Sequence, residues 1–447
     1  ANITSVGTLT GLTVSADSTI NGVTVGKGAN SVAANTVLGV TALDANTTGD
    51  RNTAIGKDAL GANTTGSKNV AVGENALLVN TTADDNTAIG VGALDANTTG
   101  SNNTALGRNT LTDNTTASYN TAVGASALLA NTTGANNTAV GYQSLDANTE
   151  GTTNCAFGAY ALTANTTADG INAFGYQALK TNTTGSVNDA FGYSALEMNS
   201  TGSGNAAFGH KALEENTTGG YNVAFGALAL DDNTTASYNT ALGYGALGAN
   251  VAAENTAVGY YALTANTTGI RNTAVGTQAL DAVTTTNDNT ALGYQALTAS
   301  TTGQNNTAVG RNALGASQSG SNNVAVGRLA MAGANVTADN NVALGYQALY
   351  ANIGGAGNIA LGTNALVVNT TGGNNVALGM NALDANTTGN YNTAIGGQAL
   401  TASTTASENV AIGYQAMDSA TTANNCVAVG MKAMDDLTTG VGNIAIG

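Results

Sequence analysis

The amino-acid sequence predicts an all-β protein, a β-solenoid of about 24 coils with a 17-residue period. A unit of the form N-T-A-[IVLF]-G-x-x-A-L-x-x-N-T-T-G-x-x recurs from Asn35 onward, and we number its positions as slots 1 to 17. Slot 5 is glycine in every copy. Self-similarity at a fixed period is typical of stacked repeats, and this unit is too short for two helices and a turn. The chain contains 0 Pro, which suits a ladder in which nearly every backbone N–H must donate.

The chain divides into two regions, residues 1–34 and residues 35–447. In the second region the period slips twice, with one residue missing before Asn255 and one extra before Asn341. The first region alternates Thr with Leu, Val and Ile, which is a strand signature. It repeats Leu-Thr-Val of residues 12–14 as Val-Thr-Val of residues 23–25. We interpret residues 1–34 as a β-rich lead-in that caps an open sheet edge. The unfinished last copy suggests a segment of a longer protein.

The apolar slots come in adjacent pairs, as Ala88–Ile89 and Ala93–Leu94 illustrate. Neighbouring residues of a strand point to opposite faces, so both faces should be partly buried. Slots 3 and 8 are small, whereas slots 4 and 9 are large. We expect the small and large sets to face opposite ways, one filling the coil and the other packing against neighbouring chains. A homotrimer is one closed solution; a monomer whose apolar stripe is covered by something else is the alternative.

The recurring asparagines and glycines predict how the backbone of each coil is held and where it turns. Slot 1 is Asn except at Ile171 and Cys426, and stacked Asn side chains form ladders that fix register. The slot-5 glycine indicates either a positive φ or a close approach of backbone. The N-T-T-G segment of slots 12 to 15 is interpreted as turn chemistry, because Asn and Gly tolerate left-handed geometry and Thr hydroxyls satisfy backbone groups.

Two aromatic rows stand out in the repeat. The five Phe of the protein occupy slot 4 of successive copies, as a predicted structural ladder: Phe157, Phe174, Phe191, Phe208 and Phe225. Such a block is either a locally stiffened segment or a group of repeats duplicated together. Tyrosine recurs in slot 6, at Tyr142, Tyr176, Tyr193, Tyr244, Tyr260, Tyr294, Tyr346 and Tyr414. We interpret the slot-6 row as a candidate ligand or glycan surface, with corner packing between coils as the alternative.

The composition argues against nucleic-acid binding, catalysis and metal binding. A net charge of −16 disfavours nucleic acid, which needs clustered Lys and Arg. The single histidine, His210, leaves no His-based triad or metal cluster. Asp recurs in slot 10 as an expected solvated edge rather than an ion ladder, at Asp44, Asp95, Asp146, Asp231, Asp281 and Asp384. Cys155 and Cys426 are too far apart in the predicted solenoid to pair. We expect no enzyme activity, no catalytic residues, no cofactor, no metal and no membrane insertion.

The repeat resembles two groups of fibrous proteins. N-T-A-I-G-K-D-A-L at residues 52–60 is similar to strands in the heads of YadA-like trimeric autotransporter adhesins. The longer form, G-Y-Q-A-L followed by N-T-A-V-G within residues 293–310, resembles repeats of phage and prophage tail fibres. The resemblance implies a left-handed parallel β-roll, usually trimeric, that forms a rigid shaft or a receptor-binding head.

These observations lead to a functional expectation. The first hypothesis is a structural tail-fibre shaft of a virion, involved in host attachment, with its own copies as partners and a host glycan or receptor as a further one. The second is a bacterial cell-surface adhesin or an extracellular filament, in which the solenoid flank itself binds a receptor or copies join end to end. A third is ice or glycan binding by the regular Thr arrays.

Overall fold

The computed structural model describes residues 17–333 and 335–447 of the chain. These residues belong to two compact units, Ala1–Gly204 and Asn205–Gly447, which we call the N-terminal and C-terminal units. The border between the units falls between two complete repeats. Each unit is an all-β parallel solenoid, and together the two units carry about 24 coils of the 17-residue unit.

Each repeat contributes one short strand, formed by slots 2 to 4. The strands of the N-terminal unit are β1 (Ser18–Ile20), β2 (Val23–Gly26), β3 (Thr36–Gly39), β4 (Thr53–Ile55), β5 (Val70–Val72), β6 (Thr87–Ile89), β7 (Thr104–Leu106), β8 (Thr121–Val123), β9 (Thr138–Val140), β10 (Cys155–Phe157), β11 (Asn172–Phe174) and β12 (Asp189–Phe191). A single 3₁₀ turn of the described residues, Ala29–Ser31, separates β2 from β3.

The C-terminal unit continues the same pattern. Its strands are β13 (Ala206–Phe208), β14 (Val223–Phe225), β15 (Thr240–Leu242), β16 (Thr256–Val258), β17 (Thr273–Val275), β18 (Thr290–Leu292), β19 (Thr307–Val309), β20 (Val324–Val326), β21 (Val342–Leu344), β22 (Ile359–Leu361), β23 (Val376–Leu378), β24 (Thr393–Ile395), β25 (Val410–Ile412), β26 (Val427–Val429) and β27 (Ile444–Ile446).

From β3 onward, successive strands within each unit pair in parallel with like slots opposite one another. Ala54 of β4 lies opposite Ala71 of β5. The two slips leave this register intact, since Ala241 of β15 still lies opposite Ala257 of β16, and β20 pairs with β21 in the same way. Register is therefore set by the strands, and the irregular repeats absorb their length changes in the turns.

The interior of a coil takes both small and large side chains. In the repeat that begins at Asn86, Ala88, Ala93 and Leu94 are fully buried, whereas Ile89 is 37% exposed. The prediction that small and large slots face opposite ways therefore holds for slots 3, 8 and 4 but is wrong for slot 9. Slots 2 to 4 alternate because they form a strand, but slot 9 lies in a turn, where Leu94 has a φ of 53° and points inward.

The left-handed backbone at slot 9 carries a cost that burial offsets. A non-glycine residue in this region loses about 1–2 kcal/mol, and burying a leucine side chain returns about 1.5–3 kcal/mol. The side chain of Leu94 has no exposed surface, so the burial term wins. Slot 9 is Leu or Met in every complete repeat because a small or polar residue would bear the backbone cost without this return.

The slot-5 glycine meets both conditions that its invariance suggested. Gly293 has a φ of +140°, and a Cβ atom placed on it would lie 2.6 Å from the carbonyl oxygen of Gly310 in the next coil. No side chain can be accommodated at such a distance from backbone. The chain turns out of each strand here, and the coils approach each other through the bare glycine.

The predicted slot-1 asparagine ladder is confirmed, and most of its bonds run from side chain to backbone. The Oδ1 atom of Asn52 accepts the backbone N–H of Asn69 in the next coil at 2.9 Å. The Nδ2 atom of Asn52 donates to the carbonyl oxygen of Gly66 in its own coil at 2.8 Å. One side chain therefore ties its coil to the next and closes its own coil across the interior.

A second ladder occupies slot 12, which the sequence had suggested was turn chemistry alone. The Nδ2 atom of Asn63 donates to Oδ1 of Asn46 at 3.1 Å and to the carbonyl oxygen of Gly66 at 3.0 Å. These asparagines are fully buried. The slot-15 carbonyl of Gly66 thus receives amide protons from both ladders, which brings Asn52 and Asn63 to one point of the interior.

The N-terminal unit begins with an antiparallel hairpin. Strand β1 pairs with β2, and β2 lies antiparallel along β3, with Val25 opposite Leu38. Asp17 accepts the backbone N–H groups of Lys27 and Gly28 at 2.6 and 2.7 Å. This hairpin occupies the edge of the first coil. The Leu-Thr-Val motif of residues 12–14 lies outside the described residues.

Candidate functional site: the strand face and the tyrosine flank

Within each unit, the outward slots 2 and 4 of the repeat strands, β3 to β12 in one and β13 to β27 in the other, form an apolar surface, which we call the strand face of that unit. Its slot-4 side chains remain accessible, with Leu106 44% and Phe225 54% exposed. Slot 2 is mostly Thr or Val, and Asp189 is the only charged residue that the sequence places in either slot. A charge-depleted apolar surface that extends over many coils of one unit is unusual for a soluble monomer.

The phenylalanines of slot 4 stack on the strand face. In the N-terminal unit, the ring centroids of Phe157 and Phe174 are 4.8 Å apart, and those of Phe174 and Phe191 are 4.7 Å apart. In the C-terminal unit, Phe208 and Phe225 stack at 5.6 Å. The shorter spacings match the distance between neighbouring strands. Each stacked pair adds about 0.5–1.5 kcal/mol beyond area burial.

The slot-6 tyrosines lie on the outer surface of the coils, which we call the tyrosine flank. All eight are exposed, from 40% at Tyr346 to 51% at Tyr260. They do not form one continuous stripe. The structure instead gathers them into separate groups, within which neighbouring side chains touch.

The first group lies in the N-terminal unit. Tyr160 contacts Tyr142 edge to face with ring centroids 5.4 Å apart, and it contacts Tyr176 in the same manner at 6.0 Å. Tyr176 stacks on Tyr193 at 5.4 Å. Tyr160 belongs to slot 7, so a residue from outside the predicted row links its members.

The second group lies in the C-terminal unit and has the same construction principle. Tyr244 and Tyr260 stack with centroids 5.8 Å apart. The slot-7 residue Tyr261 meets Tyr244 edge to face at 5.4 Å and Tyr260 at 4.4 Å. We call these three residues the tyrosine cluster.

Two slot-6 tyrosines are covered by arginine. The guanidinium carbon of Arg311 lies 5.7 Å from the ring centroid of Tyr294, and that of Arg328 lies 5.6 Å from the centroid of Tyr346. Contacts of this type contribute about 0.5–1 kcal/mol at exposed sites. The last slot-6 residue, Tyr414, lies beside the backbone of Gly397, where an added Cβ atom would be 3.6 Å from its ring.

Sequence reasoning missed the tyrosines of slots 7 and 17. Tyr160 and Tyr261 contact the slot-6 rings, and Tyr221 stacks on Tyr238 with centroids 5.5 Å apart and rings 3° from parallel. The spacing of 17 residues between Tyr221 and Tyr238 was a readable signal. The slot-7 contacts could not be predicted from the sequence, because they depend on a left-handed backbone that turns the ring back along the flank.

The slot-10 aspartates lie at a half-buried edge rather than a fully solvated one, apart from the exposed Asp44. Burial raises the pKa of Asp146 and of Asp384 above the ordinary range. Burial, with the charge of Asp113, also raises the pKa of Asp95. The pKa of Asp231 is raised to about 6, first by burial and then by the neighbouring carboxylates of Glu214 and Asp232.

The single histidine and the two cysteines of the chain belong to three different repeats. His210 lies on the surface. Within residues 17–333 and 335–447, no group of three or more His, Cys, Asp or Glu side chains is placed to hold a metal ion. Cys155 is half-buried and Cys426 buried, both as free thiols. Among the same residues, no helix has the length and apolarity to cross a membrane.

Comparison of the chain with protein-family models and with curated proteins finds no match. The candidate site is therefore defined by the residues of this chain: an interior with two asparagine ladders, an apolar strand face and grouped tyrosines on the flank.

Proposed function

We propose that this chain is a structural, non-enzymatic fibre shaft that self-associates through the strand face into a homotrimer. The observation that carries the proposal is the contrast between the two sides of each strand. The inward Ala105 is fully buried within its own chain, while the outward Leu106 is 44% exposed. A surface that repeats this exposure coil after coil calls for a partner of equal length and repeat.

A second copy of the chain meets this requirement. The strand face of each unit has the same spacing from coil to coil, so the same unit of two copies matches without any change of register. Its lack of charge favours the core of an interface over a solvated surface. Three copies around one axis enclose all their strand faces, and the resemblance to trimeric β-roll proteins favours this number and a left-handed coil.

The resemblance also supports the place of action. A phage tail-fibre shaft needs length, stiffness and a polar outer surface, and the two asparagine ladders supply stiffness without chemistry. We propose this role, at a virion and in host attachment. A bacterial cell-surface adhesin or an extracellular filament is the second candidate, and it is favoured by the exposed tyrosines, which would then act along the flank.

Sedimentation equilibrium of the full chain tests the assembly. We expect a mass near three times the 43.6 kDa of one chain. Leu106→Asp places a charge in the strand face and should reduce the assembled mass. Thr99→Asp, on the exposed turn of the preceding coil, is the matched control and should leave the mass unchanged. A folded 43.6 kDa monomer for the native chain would contradict the proposal.

Immunoelectron microscopy of the source tests the biology. Antibody label on thin fibres of virus particles is expected for the tail-fibre role. Label on the surface of uninfected cells, with none on particles, would overturn that role in favour of the adhesin or filament.

A further inference from the structure

The flank of the C-terminal unit contains a cavity of about 200 Å³ beside the tyrosine cluster. Its lining residues come from slots 7, 10 and 11 of three successive coils, and we call it the notch: Leu228, Asp231, Asp232, Gly245, Gly248, Ala249, Tyr261 and Thr264. All of them belong to one unit, so the notch is complete within that unit.

The notch exists because one repeat lacks two side chains. The repeat that begins at Asn239 has glycine in both slot 7 and slot 10, at Gly245 and Gly248, and it is the only complete repeat in the sequence that does. The coils on either side carry Leu228 and Tyr261 in slot 7. A gap one coil wide therefore opens between two walls.

The surroundings of Gly61 differ from those of Gly248. At Gly61, another slot-10 glycine, a Cβ atom would lie 3.4 Å from Cδ1 of Leu78, so the next coil fills the space. At Gly248 the next coil offers only Oγ1 of Thr264, at 3.5 Å. The small residues of the neighbouring coil keep the notch open.

The floor and the aromatic wall of the notch are fixed in place. The carbonyl oxygen of Gly248 accepts the N–H of Asp232 at 3.0 Å, and the N–H of Ala249 donates to the carbonyl of Thr264 at 3.1 Å. The ring of Tyr261 lies over Gly245, where a Cβ atom would be 2.6 Å from its Cε1. Its edge-to-face contacts within the tyrosine cluster hold the ring in this position.

The chemistry of the walls selects the ligand. One wall is the ring of Tyr261, the other carries the carboxylates of Asp231 and Asp232, and Thr264 adds a hydroxyl. Carboxylates accept strong hydrogen bonds from hydroxyl groups, and an aromatic ring packs on an apolar ligand face. A purely apolar ligand would leave the carboxylates desolvated.

Charge and shape narrow the choice. Glu214 and Glu215 add negative charge around Asp231, with Lys211 paired to Glu214 at 2.9 Å, so acidic ligands are repelled. Organic ammonium ions are held in cages of several aromatic faces, whereas one aromatic ring lines the notch. The cavity is smaller than the 300–1,000 Å³ typical of drug-sized sites, which suits one ring.

We infer that the notch binds a single neutral sugar ring, as presented by a glycan, with its hydroxyls donating to Asp231 and Asp232 and one face against Tyr261. This goes beyond the proposed shaft, whose own test is the oligomeric state. The two proposals can fail separately, because oligomeric mass tests the shaft and sugar binding tests the notch. A trimer that binds no sugar would contradict only the notch, and a monomer that binds sugar would contradict only the shaft.

Saturation-transfer NMR of the full chain with methyl glucoside, methyl galactoside and methyl N-acetylglucosaminide tests the inference. Binding of at least one of them is expected. Gly248→Leu fills the notch, and the fold accommodates it because Leu78 and Leu129 occupy the same slot. We expect this variant to bind at least about tenfold more weakly with an unchanged melting temperature.

Tyr261→Ala should lose a similar factor, while Tyr160→Ala is the matched control. Tyr160 is also a slot-7 residue with edge-to-face contacts, but the coil before it carries side chains in slots 7 and 10, at Gln143 and Asp146. Absence of binding for all three glycosides would overturn the inference, as would undiminished binding by Gly248→Leu. Tighter binding of butylammonium than of every neutral glycoside would also overturn it.

Discussion

The side chain of Asn86 bonds the backbone of Asn103, 17 residues further along the chain, through an Oδ1 to N–H hydrogen bond of 2.9 Å. The same side chain donates from Nδ2 to the carbonyl oxygen of Gly100 in its own coil at 2.9 Å. Both residues are fully buried. A parallel solenoid with a narrow interior has few apolar contacts per coil, so these bonds contribute much of what fixes one coil on the next.

Removal of one ladder member should open the structure locally. Asn86→Ala leaves the buried N–H of Asn103 without its partner, at a cost of about 1–3 kcal/mol. The carbonyl of Gly100 loses one of two donors and keeps the hydrogen bond from Nδ2 of Asn97 at 2.9 Å. We expect hydrogen exchange of the Asn103 amide to accelerate by at least about tenfold. Thr99→Ala, at an exposed slot of the same repeat, should leave that rate unchanged. Equal protection in both variants would contradict a stabilising ladder.

The slot-5 glycine should be the least replaceable residue of a coil. In Gly293→Ala the added Cβ atom would be 2.6 Å from the carbonyl of Gly310, at a φ of +140° that costs a non-glycine residue about 1–3 kcal/mol before any clash. We expect a lowered melting temperature and loss of exchange protection in the adjoining coils. Gly248→Ala is the control, since its nearest neighbour is 3.4 Å away. Identical melting of Gly293→Ala and the native chain would refute this reading.

The parts of the fold that could be predicted from the sequence are those set by the strand. The period predicts strands that stack in parallel. Identical residues of successive coils then lie above one another, and the slot-1 ladder follows from this arrangement. Leu94 and Asn63 could not be placed in this way, because both lie in turns, where the alternation of faces does not apply. Slot 9 was expected to face the same way as slot 4, and slot 12 was expected to be a turn residue. Both are buried.

The candidate binding surface was predictable only in part. The slot-6 tyrosines were expected on the flank from their spacing, and they lie there. Their grouping depends on Tyr160 and Tyr261, whose slot-7 backbone has φ values of 59° and 50°. The notch depends on what is missing at Gly245 and Gly248. The two glycines are visible in the sequence, but their proximity to Tyr261 follows from that turn.

The two faces of one strand should respond differently to substitution. Ala224 is fully buried within its chain, so Ala224→Phe overfills the interior, at a cost of about 1–3 kcal/mol or more. We expect the β-sheet circular dichroism signal to be lost, and to be lost also when the association of chains is prevented by Leu106→Asp. Phe225→Ala, on the strand face, removes the stacking on Phe208 and should keep the circular dichroism while weakening association. Unchanged dichroism in Ala224→Phe would show that slot 3 has more room than its burial indicates.

The half-buried carboxyl of Asp231 should make stability depend on pH in one direction. Its pKa is raised from 3.8 to about 6, first by burial and then by Glu214 and Asp232, and its Oδ1 atom is buried without a hydrogen-bond partner among the described residues. Between these two pKa values the folded chain binds more protons than the unfolded chain, so stability falls as pH rises through this window. Above about pH 6 this contribution is constant.

Asp231→Asn removes that titration and keeps the shape of the side chain. We expect the variant to show a flatter stability profile from about pH 4 to pH 6 and greater stability than the native chain at neutral pH, because an ionised group is no longer held at a half-buried site. Thermal unfolding across this range, followed by circular dichroism, measures the difference. Asp232→Asn, at an exposed neighbour, should change the profile less. If Asp231→Asn lowers stability at neutral pH, the ionised carboxylate stabilises the coil, which would contradict the prediction.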